Sequence, residues 1–165
     1  MDISGGVLRR SLFKNVRFPV GYWFEDMINL FLLVPLASKV VLIEDYVVYH
    51  NDVEGSSSKI QSKGKDYKAL EHLYLVMSLT EDYYALGLSD KGYLHKRLMT
   101  ECSQLMVDRT SGLDEETREQ VFLACSQLFS DNGVEPDSFS GIEKKFAEVI
   151  LNKDYTAWKM AAAVN

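Results

Sequence analysis

Two adjacent carboxylates, Glu25 and Asp26, stand between an aromatic run and an apolar stretch of the chain. A carboxylate at the start of a buried helix can be partly desolvated and still be held ionised by the helix N–H groups, and such a group can act as a general base. The alternative is a capping role, since acidic side chains are common in the first turn of a helix. The position of the pair therefore predicts either a catalytic base or a helix cap.

Tyr22 and Trp23 precede these acids almost directly. An aromatic ring beside a carboxylate can stack on the face of a sugar, and packing into the core is the other common use of such a ring. We therefore consider the two side chains as candidates for substrate binding, with core packing as the alternative.

The histidines and cysteines do not form a recognisable motif. His50, His72 and His95 are far apart in the sequence and lack the spacing of zinc ligands. Cys102 and Cys125 lie on apolar stripes with helical spacing, where a buried and inert thiol is expected. Two cysteines make no disulfide framework, and a reducing compartment is the simpler interpretation.

The elements that must position these residues differ between two parts of the chain. Residues 1–60 combine strand and helix signals: an apolar helix from Glu25 to about Leu36 is followed by two short β-branched runs, Val40–Ile43 and Tyr46–Tyr49, which predict strands. Residues 61–165 show helical periodicity almost throughout and predict four to five helices. The expected fold class is α+β, mostly α.

Local signals mark where these later helices begin and end. Three sites favour helix starts: Asp114, Ser140 with Glu143 as a capping box, and the neighbourhood of Asp154. Gly133 favours a helix end.

Composition excludes several classes of protein. The chain has 165 residues, 47% of them hydrophobic, and a formal net charge of −6. The apolar content argues against disorder, and the negative charge argues against a nucleic-acid binder that works by neutralising phosphates. The longest apolar stretch, Met27–Ile43, is interrupted by polar residues and proline and is short for a membrane span.

Five short motifs occur in an order that resembles a known family. They are Arg9–Phe13, Arg17–Pro19, Phe24–Asp26, Ala37–Val40, and Tyr49 followed by Gly55–Ser56. Together they resemble the C-terminal portion of the catalytic domain of family-2 glycosyltransferases, bacterial enzymes of the GT-A type that build capsule, exopolysaccharide and other surface glycans. The resemblance covers about residues 6–60, and residues 61–165 are similar only in their helical character.

The resemblance implies specific roles. Asp26 would be the base of an inverting transfer and would deprotonate the acceptor hydroxyl, while Glu25 would position the acceptor or the base. A nucleotide-sugar donor and a glycan acceptor are the implied substrates, and Mn²⁺ or Mg²⁺ would neutralise the departing diphosphate. His50 lies near the place of a late metal ligand in some GT-A enzymes. The family more often has an aromatic-Arg pattern there, so a histidine packed in a strand remains the alternative.

One part of the family pattern is missing. Only 24 residues precede Glu25, and the chain contains no Asp-x-Asp motif of the kind that binds the donor's metal. We therefore expect a fragment: a glycosyltransferase part over 1–60 and a helical region over 61–165, inactive alone, cytoplasmic or at the inner face of the membrane. We also expect a homo-oligomer, because the absent sheet would leave apolar faces uncovered. The alternative is a stand-alone helical interaction module without catalysis.

Overall fold

The computed structural model describes residues 7–41 and 66–162, with side chains through Ala161. Over these ranges the regular structure is helical, which confirms the mostly α prediction. Val40 and Val41, the start of the first predicted strand, are exposed and irregular, so no strand begins there. Three further predictions lie outside the described residues: the rest of the first predicted strand, the second predicted strand at Tyr46–Tyr49, and His50 as a metal ligand.

Six helices carry the described fold. Helix α1 joins a π-helical segment, Asn29–Leu33, to an α-helical end, Val34–Leu36; α2 spans Leu70–Ala85; α3 spans Lys91–Gln104 and continues as a π-helical segment, Leu105–Arg109; α4 spans Glu115–Asp131; α5 spans Gly141–Leu151; α6 spans Tyr155–Ala162. Short 3-10 turns lie at Arg10–Phe13, Tyr67–Ala69 and Pro136–Ser138. The five helices after residue 66 confirm the predicted helical character of this part. None of the helices within the described ranges is both long enough and apolar enough to cross a membrane.

Most of the predicted helix ends are confirmed. Asp114 caps α4, since its Oδ1 accepts a hydrogen bond from the Thr117 N–H at 2.9 Å. Gly133 follows that helix with φ +61°, a conformation that glycine adopts without strain. Ser140 occupies the N-cap position of α5, but its side chain accepts no capping hydrogen bond, so the predicted capping box was wrong.

A tyrosine of α3 satisfies a carbonyl of the π-helical segment of α1. In a π-turn a carbonyl accepts from the N–H five residues later, as Asn29 does from Val34. The corresponding residue after Leu30 is Pro35, which has no N–H. The Leu30 carbonyl instead accepts a hydrogen bond from the Tyr93 hydroxyl at 2.5 Å. Tyr93 thereby compensates for the proline and ties α1 to α3.

A single hydrophobic core joins α1 to the later helices. Phe31, Leu32 and Leu33 are almost completely buried, and α1 packs against α2 and α3. Burial of each such side chain stabilises the fold by about 1.5–3 kcal/mol. The predicted apolar stripe of α3 is buried as expected: Leu94, Leu98, Cys102, Leu105 and Met106.

The buried face of α2 differs from the apolar spacing that predicted this helix. Tyr67, Tyr74 and Met77 are exposed, although they recur at helical spacing. The buried side chains of α2 are His72, Leu75, Val76, Leu79, Thr80 and Tyr83. Tyr74 and Met77 therefore lie on the outer side of α2, and His72 and Tyr83 lie on its inner side.

Candidate functional site

The loop that precedes the two acids is held against the first turns of α2. The Trp23 N–H donates a hydrogen bond to Oε2 of Glu71 at 2.6 Å. The other carboxylate oxygen of Glu71 lies 3.1 Å from Nζ of Lys68. Nζ of Lys68 also lies 5.4 Å from the centre of the Trp23 ring. The side chain of Trp23 is thus partly used in packing, which is one of the two alternatives that the sequence left open.

Tyr22, the other predicted sugar-binding residue, pairs with a tyrosine of α2. The rings of Tyr22 and Tyr74 stack with their centres 5.3 Å apart and their planes at 14°. The two residues are 38% and 54% exposed, so this flat aromatic surface is open to a ligand. The neighbouring Tyr74 raises the pKa of Tyr22, because two adjacent phenolates would repel each other, and this favours a neutral Tyr22 hydroxyl that can donate a hydrogen bond.

Phe24 adopts a strained backbone conformation between this aromatic pair and the acids. Its φ is +65°, in the left-handed region, which costs a residue with a Cβ atom about 1–2 kcal/mol. The side chain is buried, with its ring centre 4.9 Å from that of His72 and 5.0 Å from Cζ of Arg109. Such strain persists only where the surroundings over-determine the conformation, and here the ring contacts of Phe24 do so.

Glu25 and Asp26 lie in the turn between Phe24 and α1. The N–H of Met27 donates to the Phe24 carbonyl, and the N–H of Asn29 donates to the Asp26 carbonyl, each at 3.0 Å. The chain becomes helical at Met27, so the acids precede the helix instead of opening it. Both residues are exposed, so the described residues do not give these acids the partial desolvation that the sequence predicted.

A buried polar chain lies behind Phe24. His72 is 1% exposed, and its Nε2 lies 3.2 Å from Oε2 of Glu101, which is 6% exposed. The other oxygen of Glu101 forms an ion pair with Arg97, one helical turn earlier on α3. Burial opposes ionisation of Glu101, but the contact with His72 and the charge of Arg97 outweigh it and lower the pKa of Glu101. We call His72, Glu101 and Arg97 the buried relay.

Sequence reasoning missed the residues of α2 and α3 that hold this loop. Glu71, His72 and Tyr74 contact the backbone or rings of Trp23, Phe24 and Tyr22, respectively. A usable signal was present, since His72 lies among the leucines of α2 and Glu101 directly precedes Cys102 of the apolar stripe of α3. A polar side chain in such a run requires a buried partner.

The divalent cation implied by the resemblance does not fit the described residues. Mg²⁺ and Mn²⁺ prefer several oxygen ligands from carboxylates and phosphates. Across residues 7–41 and 66–162, no group of three or more histidines, cysteines or acids is gathered in a way that could hold a metal ion. We therefore derive no step through a cation.

The cysteines follow the sequence prediction. Both Cys102 and Cys125 are free thiols and fully buried in the core. The contact with Cys125 and burial raise the pKa of the Cys102 thiol well above its usual range. A thiol of this kind is a poor nucleophile, so the cysteines are structural.

An open cleft lies apart from the acids. It has a volume of about 420 Å³ and lies where the end of α1 meets the turn between α2 and α3, with Pro35, Asp90 and Tyr93 in its lining. Neither Glu25 nor Asp26 lines it. The candidate site accordingly comprises the exposed ring pair of Tyr22 and Tyr74 and the exposed acids Glu25 and Asp26, which follow Tyr22 closely in the chain.

Comparisons of the chain with protein-family models, with curated proteins and with solved structures gave no match.

Proposed function

We propose that this chain supplies the acceptor side and the C-terminal helices of a family-2, nucleotide-sugar-dependent, inverting glycosyltransferase for cell-surface polysaccharides. The observation that carries the proposal is the acid pair, held at the start of α1 by a loop that is docked on α2 beside an exposed aromatic pair. This arrangement combines a fixed base with a flat surface for a sugar.

In the proposed reaction Asp26 removes the proton from an acceptor hydroxyl. The hydroxyl oxygen attacks the anomeric carbon of the donor, a new C–O bond forms, and the bond to the nucleoside diphosphate breaks. The diphosphate leaves with the bonding electron pair. Glu25 positions the acceptor or the base, and Tyr22 and Trp23 contact the acceptor sugar. Exposure of Asp26 suits this role, because the base must reach a hydroxyl on a second molecule.

Donor binding is assigned to a part outside the described residues. The proposal places the Mn²⁺ or Mg²⁺ and the nucleotide in a domain with an Asp-x-Asp motif, which this sequence lacks. We therefore expect no transfer by this chain alone, and transfer once a donor-binding domain is joined to it. His50 remains a predicted metal ligand.

Acceptor binding can be tested on the chain itself. We expect defined capsule and cell-wall oligosaccharides, titrated by NMR, to shift the backbone signals of Tyr22, Trp23 and Asp26. Tyr22→Ala and Tyr74→Ala should each weaken binding by about 5- to 150-fold, if a sugar gains from an aromatic ring the roughly 1–3 kcal/mol that a stacked nucleobase gains.

Tyr84→Ala is the matched control, because Tyr84 is an exposed tyrosine of α2 that instead bonds Asn132. It should leave the affinity unchanged. Shifts spread evenly over the surface, or an equal loss of affinity in all three variants, would contradict the acceptor site.

We also propose that the chain forms a homo-oligomer. Val20, Val40 and Val41 are exposed apolar side chains of the described N-terminal part. Burial of such side chains in an interface would favour association. Light scattering should show at least a dimer at micromolar concentrations, and a monomer throughout that range would contradict this part of the proposal.

A further inference from the structure

We propose that His72 is a positioning residue: through Phe24 it fixes the turn that carries Glu25 and Asp26. The role in transfer rests on the proposed function, whereas the effect on the turn is a property of the fold. His72 does not touch the acids. It acts through the ring of Phe24, which lies 4.9 Å from the imidazole between centres.

The strained backbone of Phe24 makes the following turn depend on contacts of its ring. Its left-handed backbone sets the direction of the next peptide, and hence where Glu25 and Asp26 begin. A phenylalanine leaves that conformation unless its side chain is held. His72 lies on one side of the ring and Arg109 on another, at the end of the π-helical segment that extends α3.

The orientation of the imidazole depends on Glu101 of the buried relay. Glu101 lies 3.2 Å from Nε2 of His72, and Arg97 pairs with the remaining oxygen of Glu101. Neither ring nitrogen of His72 makes a hydrogen bond within residues 7–41 and 66–162, although Nε2 approaches Oε2 of Glu101. The approach to Glu101 and the tilted ring of Phe24 are therefore the contacts that position the imidazole. An unpartnered buried nitrogen is costly, and its retention is consistent with a role other than stability.

These contacts link three elements of the fold. α2 carries His72, α3 carries Glu101 and Arg97, and the loop carries Phe24. Movement of α2 against α3 would shift the imidazole and release Phe24. The relay thus couples the packing of two helices to the position of the candidate base.

The experiment measures hydrogen exchange of two amides by NMR on the whole chain. The Met27 and Asn29 amides report directly on the turn, because they donate to the carbonyls of Phe24 and Asp26. Their exchange rates are divided by that of the Leu98 amide in the core, so that an effect of the substitution on the stability of the whole fold cancels. We expect His72→Ala to accelerate exchange at Met27 and Asn29 by at least about tenfold relative to Leu98.

The matched control is His95→Ala. His95 is also buried, but its Nε2 contacts the Asn132 carbonyl at 3.0 Å and not the loop. It should leave the relative exchange at Met27 and Asn29 unchanged. If both variants accelerate exchange equally, or if neither does, the positioning role of His72 is wrong.

A milder variant covers the case in which His72→Ala does not fold. His72→Gln keeps a polar side chain of similar reach toward Glu101. We expect the exchange at Met27 and Asn29, relative to Leu98, to be faster than in the wild type but slower than in His72→Ala. Wild-type exchange in this variant would overturn the proposal.

Sugar transfer by the His72 variants, measured with a donor-binding domain joined to the chain, should show a lower kcat with little change in acceptor KM. Absence of transfer in the wild type would reject the proposed function and leave the exchange result valid.

Discussion

Replacement of Asp26 with asparagine is expected to lower kcat by about 10²–10⁴-fold, the usual contribution of general-base catalysis. The assay joins a donor-binding domain to this chain and supplies nucleotide-sugar and glycan acceptor. Asparagine keeps the size of the side chain but cannot accept the acceptor's proton. The base acts only as that proton leaves, so the loss belongs to the transition state and donor affinity should not change.

Glu25→Gln is the matched control, since it neutralises the neighbouring acid in the same turn. It should reduce kcat less than Asp26→Asn does. The melting temperature of both variants should remain near that of the wild type, because both side chains are exposed. If Asp26→Asn folds normally and retains more than about a third of the wild-type kcat, Asp26 is not the base.

Glu101→Ala is expected to lower the free energy of unfolding by about 3–5 kcal/mol, which is the range for removing one partner of a buried ion pair. The variant leaves Arg97 without its carboxylate and His72 buried beside a cavity. Urea denaturation followed by circular dichroism measures this loss. The control is Asp137→Ala, which removes an exposed ion pair with Lys144 and should change the stability little.

The pH dependence of the Glu101 contribution has a definite sign. The pKa of Glu101 is lower in the folded chain than in the unfolded chain, so the ionised carboxylate favours folding. That stabilisation is fully present at pH values above the pKa of an unfolded glutamate, about 4.3. It is lost as the pH falls through the lower pKa that Glu101 has in the folded chain. The difference in stability between the wild type and Glu101→Gln should therefore be constant near neutral pH and decrease below about pH 4. A difference that grows in acid would contradict the assignment.

The helices after residue 66 could be predicted because helix formation depends on residues within one or two turns of each other. Asp114 and Gly133 define the ends of α4 through bonds and dihedrals confined to a few neighbouring residues. The stripe from Leu94 to Met106 likewise predicted both α3 and its buried face. The failure at Ser140 shows the limit, since a capping pattern does not ensure that the hydroxyl makes the bond.

The sequence by itself determined that acids follow an aromatic run at the start of an apolar helix, and that helices follow. Only the tertiary structure decided which side of α2 is buried, because the choice depends on what α1 and α3 present to it. It also brought Glu71, His72 and Tyr74 to the loop, and Glu101 to His72, across long stretches of chain that no local pattern relates. Contacts of this kind form only when helices pack, and the strained turn before Glu25 and Asp26 depends on them.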